Sequence, residues 1–163
     1  MKKMTAAVLT VSDSAAQGTR ADASGPAVAS ALQQKGFSVL ATKVVADERS
    51  AIEGALLELC ENARLVVTTG GTGLAPRDVT PEATRAVCDR LIDGLAERMR
   101  SEGLRSTPFA ALSRGVCGIR GRSLIVNLPG SPKGATESLA AVMDLLPHAL
   151  EVIEGKTNHP ESA

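Results

Sequence analysis

The chain of 163 residues has almost no aromatic side chains: it contains two Phe and neither Trp nor Tyr. Its formal charge is zero, because 18 Lys and Arg balance 18 Asp and Glu. Proteins that bind nucleic acids present a cationic surface, and those that bind single strands also stack the bases on aromatic rings. The composition therefore argues against a nucleic-acid binder, and any anionic ligand has to be held by a local site.

Cysteines and long apolar runs are also scarce. Cys60, Cys88 and Cys117 lie far apart and form no CxxC pair, which argues against a zinc site and a disulfide framework, so we expect plain buried thiols. The basic start at residues 1–3 precedes an apolar stretch, but polar residues interrupt that stretch and no small-residue cleavage site follows. No run approaches the roughly 18 apolar residues of a membrane span. The sequence thus predicts a cytoplasmic protein that does not contact membranes.

What the chain does contain is an alternation of apolar strand-like runs and amphipathic helical segments. Strands are predicted at residues 6–11, 37–45 and 65–69, and a hairpin at 116–128 that turns at Arg120-Gly121. Helices are predicted at 24–36, from a capping box at Ser50 and Glu53, from Thr80, at 94–105, and from Ser131, the last one kinked or split by Pro147. This order predicts a single α/β domain with a mostly parallel sheet and a polar tail from Gly155.

Polar or glycine-rich segments follow four of the predicted strands. They are Ser12-Asp13-Ser14, Ala46-Asp47-Glu48, Gly70 to Asp78, and Pro129 to Gly134. Ligands of open parallel sheets bind in the crevice outside the carboxyl ends of the strands. We therefore expect the four segments to meet at one site.

The segment Gly70-Gly71-Thr72-Gly73 offers main-chain amides that are not covered by bulky side chains. Such a loop lets a phosphate approach the backbone and accept several N–H groups. The glycine spacing matches neither a Walker A loop nor a GxGxxG fingerprint. For this segment alone, phosphate binding and an ordinary tight turn are both open.

Two carboxylates, Asp47 and Asp78, accompany these segments. Mg²⁺ takes one or two protein carboxylates together with phosphate oxygens, so the pair predicts a magnesium–nucleotide site. The alternatives are that Asp78 and Thr80 cap a helix and that Asp47 is a charge at a helix N-terminus. Ser131 and Lys133 open the last helix, where they would bind an anion or form an ordinary cap.

Longer blocks of the sequence resemble the molybdopterin adenylyltransferase family. The first runs from Thr68 to Thr84; the second contains Thr107-Pro108-Phe109-Ala110 and Leu112-Ser113-Arg114, followed by Gly118 to Gly121; the third runs from Asn127 to Lys133. Residues 10–13, Gly18 and Asp22 fit the same pattern. The blocks lie tens of residues apart, so the resemblance covers nearly the whole chain, from about residue 5 to residue 154.

The resemblance implies a three-layer αβα fold, usually assembled as a homotrimer, that acts in molybdenum cofactor biosynthesis. In the implied reaction the terminal phosphate of molybdopterin attacks the α-phosphorus of Mg-ATP, giving adenylylated molybdopterin and pyrophosphate. Asp47 and Asp78 are the implied catalytic carboxylates and magnesium ligands. A downstream molybdenum insertase is the implied protein partner.

The remaining implied site residues bind the two substrates. Gly70, Gly71, Thr72 and Gly73 are expected to cradle the nucleotide phosphates. The expected lining of the pocket shared by pterin and adenylate consists of Ser12, Asp13, Ser14, Ser113, Pro129, Gly130 and Ser131. Arg77 and Lys133 are candidates for neutralising phosphate charge.

Other members of the same fold offer alternative functions. A non-catalytic pterin-binding paralogue and an assembly module like the G domain of gephyrin share the glycine loop and the block that begins at Arg77. The presence of both Asp47 and Asp78 favours the enzyme. A competence-damage-type protein has a similar glycine loop, but residues 113–114 and 129–133 fit that group less well.

Overall fold

The strands of the chain form a single sheet in the computed structural model, which describes residues 3–156. The strands are β1 (Thr5–Val11), β2 (Ser38–Val45), β3 (Leu65–Thr69), β4 (Arg90–Leu91), β5 (Cys117–Arg120) and β6 (Ser123–Leu128). Their order in the sheet is β2-β1-β3-β6-β5-β4. The first four in this order are mutually parallel, whereas β5 pairs antiparallel with β6, and the edge strand β4 pairs antiparallel with β5. The predicted mostly parallel sheet is therefore confirmed.

Helices cover both faces of this sheet. They are α1 (Asp13–Ala16), α2 (Ser24–Gln34), α3 (Arg49–Cys60), α4 (Thr80–Val87), α5 (Asp93–Gly103), a 3-10 helix (Pro108–Leu112), α6 (Pro132–Val142) and α7 (Leu146–Ile153). The expected tail beyond Lys156 lies outside the described residues, as do Met1 and Lys2.

Side chains alternate along each strand, so the sheet divides the core into two halves. In β1, Ala6 and Val8 pack with α2, α5, α6 and α7, whereas Ala7 and Leu9 pack with α3 and α4. Leu9 is fully buried, and burial of one such side chain contributes about 1.5–3 kcal/mol to stability. The result is the three-layer αβα arrangement that the resemblance implied.

The predicted start of α3 is wrong. The helix begins at Arg49, and Glu48 occupies the N-cap position without a capping side-chain hydrogen bond. Ser50 and Glu53 consequently form no capping box. Glu53 instead accepts from Arg49 Nε at 2.7 Å. Its carboxylate thus forms an ion pair with a residue one helical turn away rather than a capping hydrogen bond.

The start of α4 also differs from the capping alternative. Thr80 is its first helical residue, and the preceding Val79 provides no side-chain cap. By contrast, Ser131 does cap α6, because its Oγ accepts from the Gly134 amide at 3.0 Å. The break at Pro147 is confirmed, since α6 ends at Val142 and α7 starts again with the proline in its first turn.

Three connections contain short elements that the apolar pattern did not reveal. These are α1, the 3-10 helix and β4. In the hairpin, Arg120 pairs with Ser123, so the turn consists of Gly121 and Arg122, one position later than predicted. Each missed element has two to five residues, too few for a periodic pattern to develop.

All three cysteines are free thiols. Cys117 is buried, as expected, whereas Cys60 and Cys88 are only half-buried. Burial raises the pKa of all three, that of Cys88 to about 11 and that of Cys117 to about 12, so they are neutral at physiological pH. None of the helices within residues 3–156 has the length and apolar character needed to cross a membrane.

Candidate functional site

The carboxyl ends of β1, β2, β3 and β6 meet along one edge of the sheet because these four strands are parallel neighbours. The cleft at this edge has two parts. The first, which we term the polar lobe, has a volume of about 310 Å³ and is lined by Thr10, Val11, Ser12, Ala15, Arg20, Ala21, Asp22, Ala23, Ser24, Asp47, Thr69, Gly70, Gly71, Asp78, Gly130, Ser131 and Pro132.

The second part, the apolar lobe, has a volume of about 600 Å³. It is lined by Gly71, Thr72, Gly73, Leu74, Asp78, Gly103, Thr107, Phe109, Ala110, Leu112, Ser113, Pro129, Gly130, Ser131, Gly134, Glu137 and Ser138. Gly71, Asp78, Gly130 and Ser131 line both lobes and form the boundary between them. The four predicted segments therefore do converge on one cleft.

Most of the predicted site residues line one lobe or the other, and four line neither. These four are Asp13, Ser14, Arg77 and Lys133. Arg77 instead lines an open depression beside the cleft that also contains Asp47. The Lys133 side chain is 82% exposed, and its Nζ lies 4.0 Å from a carboxylate of its own helix.

The first two glycines of the loop after β3 are required by the backbone. Gly70 and Gly71 have φ angles of +99° and +69°, a region that L-residues with side chains rarely adopt. A Cβ at Gly70 would lie 2.2 Å from the Val11 carbonyl oxygen, and one at Gly71 would lie 2.3 Å from Thr80 Oγ1. The loop thus fits against β1 and α4 only if both positions are glycine.

The carbonyls of this loop are held by the protein, whereas of its four amides the described chain holds only that of Gly70, which donates to the Leu128 carbonyl at 3.2 Å. Thr80 donates from Oγ1 to the Gly70 carbonyl at 2.9 Å and from its amide to the Gly71 carbonyl at 3.1 Å. Within residues 3–156, the amides of Gly71, Thr72 and Gly73 have no hydrogen-bond acceptor. Consecutive free amides beside a cleft are an anion-binding arrangement.

Arg114 holds the second half of the loop. Its guanidinium donates to the carbonyl oxygens of Gly73 at 2.8 Å and Asp78 at 2.7 Å, and its amide donates to the Thr72 carbonyl at 2.8 Å. Both carboxylate oxygens of Glu82 accept from Nη1, at 2.8 and 3.0 Å. One residue therefore fixes three carbonyls of the loop and ties them to α4.

Asp13 and Asp47 hold each other through their main-chain amides. The Asp13 amide donates to Asp47 Oδ2 at 2.8 Å, and the Asp47 amide donates to Asp13 Oδ1 at 2.9 Å. Arg77 donates to both oxygens of Asp13, from Nε at 2.6 Å and from Nη2 at 2.9 Å. Asp13 thus joins the ends of β1 and β2 and orients the Asp47 carboxylate.

The two carboxylates of this pair differ in their proton affinity. Hydrogen bonds from the Arg77 side chain and the Asp47 amide hold the pKa of Asp13 below its usual value. Partial burial raises the pKa of Asp47, and the negative charges of Asp13 and Asp78 raise it further, although the Asp13 amide opposes this. Asp47 therefore lies where a cation would relieve an unfavourable charge.

The residues present fit a magnesium ion only if a ligand supplies further oxygens. Asp47 Oδ2 and Asp78 Oδ2 each accept a main-chain amide, the latter that of Ala75 at 3.1 Å. Neither Oδ1 accepts a hydrogen bond from the described part of the chain. No group of three or more potential metal ligands exists within residues 3–156. Two open carboxylate oxygens with phosphate and water suit Mg²⁺.

A buried polar network lies under the cleft, and its residues are not among the predicted site residues. Asn127 Nδ2 donates to the hydroxyls of Thr68 and Thr84, both at 3.0 Å, and its Oδ1 accepts from the Val116 amide at 3.1 Å. This network connects β3, α4 and β6 below the glycine loop. Asn127 opens the third block of the resemblance, which is the only sequence signal that indicates it.

Arg114 and Asp22 are further site residues that were not assigned a role. Asp22 lines the polar lobe and accepts from Thr10 Oγ1 at 2.8 Å and from the Gly25 amide at 2.9 Å, which holds the start of α2 against β1. Both residues lie in motifs of the resemblance, but their partners are up to 41 positions away in the chain. No local sequence pattern contains the Arg114 pairings, whereas Asp22 and Gly25 are only three positions apart.

The apolar lobe is built around the 3-10 helix. Thr107 starts this helix by accepting from the Phe109 amide at 3.3 Å. The side chains of Phe109, Leu74 and Leu112 remain exposed, Phe109 to 74%. An exposed ring and two exposed leucines around a concave surface can cover the faces of a flat heterocycle.

The part of the chain that forms this cleft matches a known protein family. Residues 7–148 match the family described as a probable molybdopterin binding domain. This match covers most of the chain and includes every residue that lines the two lobes.

Similar proteins are known from several bacteria. The molybdopterin adenylyltransferase of Helicobacter pylori J99 is 45% identical over 152 residues, which cover 91% of this chain and 86% of that protein. The molybdopterin adenylyltransferase of Escherichia coli K12 is 39% identical over 171 residues, covering 95% and 88%. The crystal structure of the molybdopterin biosynthesis enzyme MoaB from Thermus thermophilus has a TM-score of 0.88 and 53% identity, covering 94% and 98%.

Proposed function

The chain belongs to the molybdopterin binding domain family, and from this we propose that it transfers AMP from Mg-ATP to the terminal phosphate of molybdopterin. The products are adenylylated molybdopterin and pyrophosphate. The observation that carries the proposal is the lining of the cleft on both sides of the boundary, where the free amides of Gly71 to Gly73 lie close to Asp78 at the boundary and Asp47 in the polar lobe. Curated relatives named for this reaction support it.

The polar lobe is assigned to the nucleotide phosphates. It is lined by the glycine loop, where the Gly71 amide is free, and by Gly130 and Ser131 at the start of α6. The helix start and the free Gly71 amide both favour negative charge. Ser12 contributes a hydroxyl from the end of β1.

Asp47 and Asp78 are assigned to the magnesium ion that accompanies ATP. Each has one oxygen fixed by an amide and one oxygen open, so each holds its position while it binds a cation. When bound, the ion supplies positive charge that neutralises the phosphate oxygens. Asp13 acts on Asp47 by orientation, and Arg77 acts on Asp13.

The apolar lobe is assigned to the pterin. Its larger volume and its exposed Phe109 and Leu112 suit a flat ring system better than a polyphosphate. Ser113 and Ser138 add hydroxyl groups in the same lobe, which a heterocycle needs for orientation. The terminal phosphate of the pterin then points towards the boundary residues Gly71 and Asp78.

The chemistry proceeds without a covalent intermediate on the protein. An oxygen of the pterin phosphate forms a bond to the α-phosphorus of ATP, and the bond from that phosphorus to the bridging oxygen breaks. The electron pair stays on pyrophosphate. This step depends on alignment and on neutralisation of charge, which the amides of Gly71 to Gly73 supply from fixed positions.

The test is pyrophosphate release from ATP by the purified protein, measured with and without molybdopterin and with and without Mg²⁺. We expect release that requires both additions, and a pterin product heavier by one AMP. Tight pterin binding without pyrophosphate release would contradict the enzyme and would point to a non-catalytic binding protein.

We further propose that the protein acts in the cytoplasm as a homotrimer and delivers its product to a molybdenum insertase. Assembly is supported by exposed apolar side chains outside the cleft, among them Leu40 at 52% on the edge strand β2. Light scattering after size exclusion should give three times the chain mass of 16.8 kDa. The mass of a monomer at micromolar concentration would contradict the trimer.

A further inference from the structure

Most cationic side chains around the cleft are already engaged by the protein. Arg77 and Arg114 hold carboxylates and carbonyls, as described above. Arg100 donates to two main-chain carbonyls, the nearer at 2.9 Å. Lys133 lies close to a carboxylate of α6 and lines neither lobe. These four groups hold the walls of the cleft in place or lie outside it.

Arg20 differs from all of them. It lines the polar lobe, whose other charged lining residues are the carboxylates Asp22, Asp47 and Asp78. Its guanidinium has neither a hydrogen bond nor an ion pair with any group in residues 3–156. A polyphosphate bound in this lobe would therefore find one uncommitted cation, and Arg20 provides it.

The main chain around Arg20 is fixed although its side chain is free. The Ser14 carbonyl accepts from the Arg20 amide at 3.3 Å and from the amide and hydroxyl of Thr19 at 3.0 and 3.1 Å. Two residues later, Asp22 is tied to Thr10 and Gly25. The guanidinium thus extends from a tethered turn between β1 and α2, and its ordering on ligand binding is confined to the side chain.

We propose that Arg20 binds the β- and γ-phosphates of ATP and stabilises the pyrophosphate that leaves. This inference rests on the proposed function, because it deepens the assignment of the polar lobe to the nucleotide. Arg20 and the glycine loop line this lobe from two different connections, so the polyphosphate is contacted by both. When the bond between the α-phosphorus and the bridging oxygen breaks, the guanidinium binds the oxygens that gain negative charge. A planar guanidinium can make two parallel hydrogen bonds to such oxygens.

Arg20→Ala tests the assignment through three constants measured on the whole protein. These are the KM for ATP, the inhibition constant of inorganic pyrophosphate and the inhibition constant of AMP. A charge-assisted hydrogen-bonded contact is worth about ten- to a hundredfold in binding, so the first two should rise by about that factor. The constant for AMP, which lacks the β- and γ-phosphates, should change by less than about twofold.

Two further variants separate charge from geometry and from unrelated surface effects. Arg20→Lys keeps the charge but loses the planar fork, so it should fall between wild type and Arg20→Ala. Arg85→Ala removes an exposed arginine of α4 that lines neither lobe and has no partner in the described chain, and it should behave as wild type.

The outcomes distinguish this inference from the proposed function. If the wild-type protein releases no pyrophosphate, the proposed function fails. If the wild type is active but Arg20→Ala leaves the ATP and pyrophosphate constants within about twofold, the role of Arg20 is wrong. An equal loss of affinity for AMP would also overturn the assignment, because it would place Arg20 at the α-phosphate or the nucleoside.

Discussion

The two lobes of the cleft share four boundary residues yet are built by different means. The polar lobe is formed by the ends of parallel strands, and its carboxylates are oriented by main-chain amides, as Asp47 is by Asp13. The apolar lobe is formed by the 3-10 helix and the segment that follows it, and its side chains Phe109 and Leu74 are exposed. The polar lobe therefore presents carboxylates held at fixed positions, whereas the apolar lobe presents exposed apolar side chains.

This difference matches the two substrates of the proposed reaction. The proposed phosphate transfer needs hydrogen-bond donors and metal ligands at fixed positions, and the hydrogen-bonded sheet edge holds Asp47 and the glycine loop in place. A ring needs mainly contact area, which exposed side chains on a short helix provide. The glycine loop lines both lobes, so in the proposed reaction the two phosphates meet where both regions contribute.

The largest expected effect is at the boundary. Asp78→Asn removes the charge but can still accept from the Ala75 amide, so the loop should keep its shape. We expect turnover to fall by about a thousandfold while Tm stays within about 2 °C. Asp144→Asn changes an exposed carboxylate outside both lobes and should leave turnover unchanged. Unchanged AMP transfer in Asp78→Asn would refute the proposed role of this carboxylate.

The second effect tests whether the glycine loop needs the hydrogen bonds from the Arg114 guanidinium. Arg114→Ala frees the carbonyls of Gly73 and Asp78, and we expect kcat to fall by about ten- to a hundredfold as the amides lose their alignment. Arg98→Ala is a matched control, because Arg98 also donates to a carbonyl and pairs with a carboxylate, but away from the cleft. If both variants lost the same fraction of kcat, the Arg114 hydrogen bonds would have no specific role in catalysis.

A third prediction separates the lobes from each other. Phe109→Ala should raise the KM for molybdopterin by about three- to tenfold, since an aromatic contact contributes about 0.5–1.5 kcal/mol, and leave the KM for ATP unchanged. Arg20→Ala should show the reverse pattern. The double variant should be additive, because the two side chains line different lobes. A rise in the ATP constant of Phe109→Ala would contradict the division.

The smallest effect concerns pH. In its proposed role Asp47 binds a cation only when it is deprotonated, so we expect activity to fall as the pH is lowered through its raised pKa. Asp13→Asn removes a negative neighbour, lowers the pKa of Asp47 and should move the acidic limb of kcat/KM to lower pH. Arg77→Met removes a positive neighbour and should move that limb to higher pH. Shifts of the opposite sign would contradict the charge coupling.

The convergence of the site follows from the sequence because parallel strands end at the same edge. Residues such as Ser12, Asp47 and Gly70 could be placed there once the strands were located. The αβα layering is equally local in origin, since it results from alternation along β1 and from helical periodicity.

What the sequence did not reveal depends on contacts between distant segments. Arg114 meets Glu82 across 32 positions, and Asn127 meets Thr68 across 59, so no local pattern contains either pair. Lys133 illustrates a second limit: it was expected to neutralise phosphate charge, but its side chain is exposed, lines neither lobe and lies 4.0 Å from a carboxylate of α6. Side-chain direction at a helix start depends on how the helix packs, which composition does not determine.

The most direct test of the account is a crystal structure of Asp78→Asn with Mg²⁺ and ATP, in which turnover is blocked. We predict the α-phosphate at the boundary within hydrogen-bond reach of the Gly71 amide, the magnesium ion on Asp47, and the β- and γ-phosphates in the polar lobe facing Arg20. A nucleotide whose phosphates lie outside the polar lobe, with the amides of the glycine loop unoccupied, would contradict the central claim.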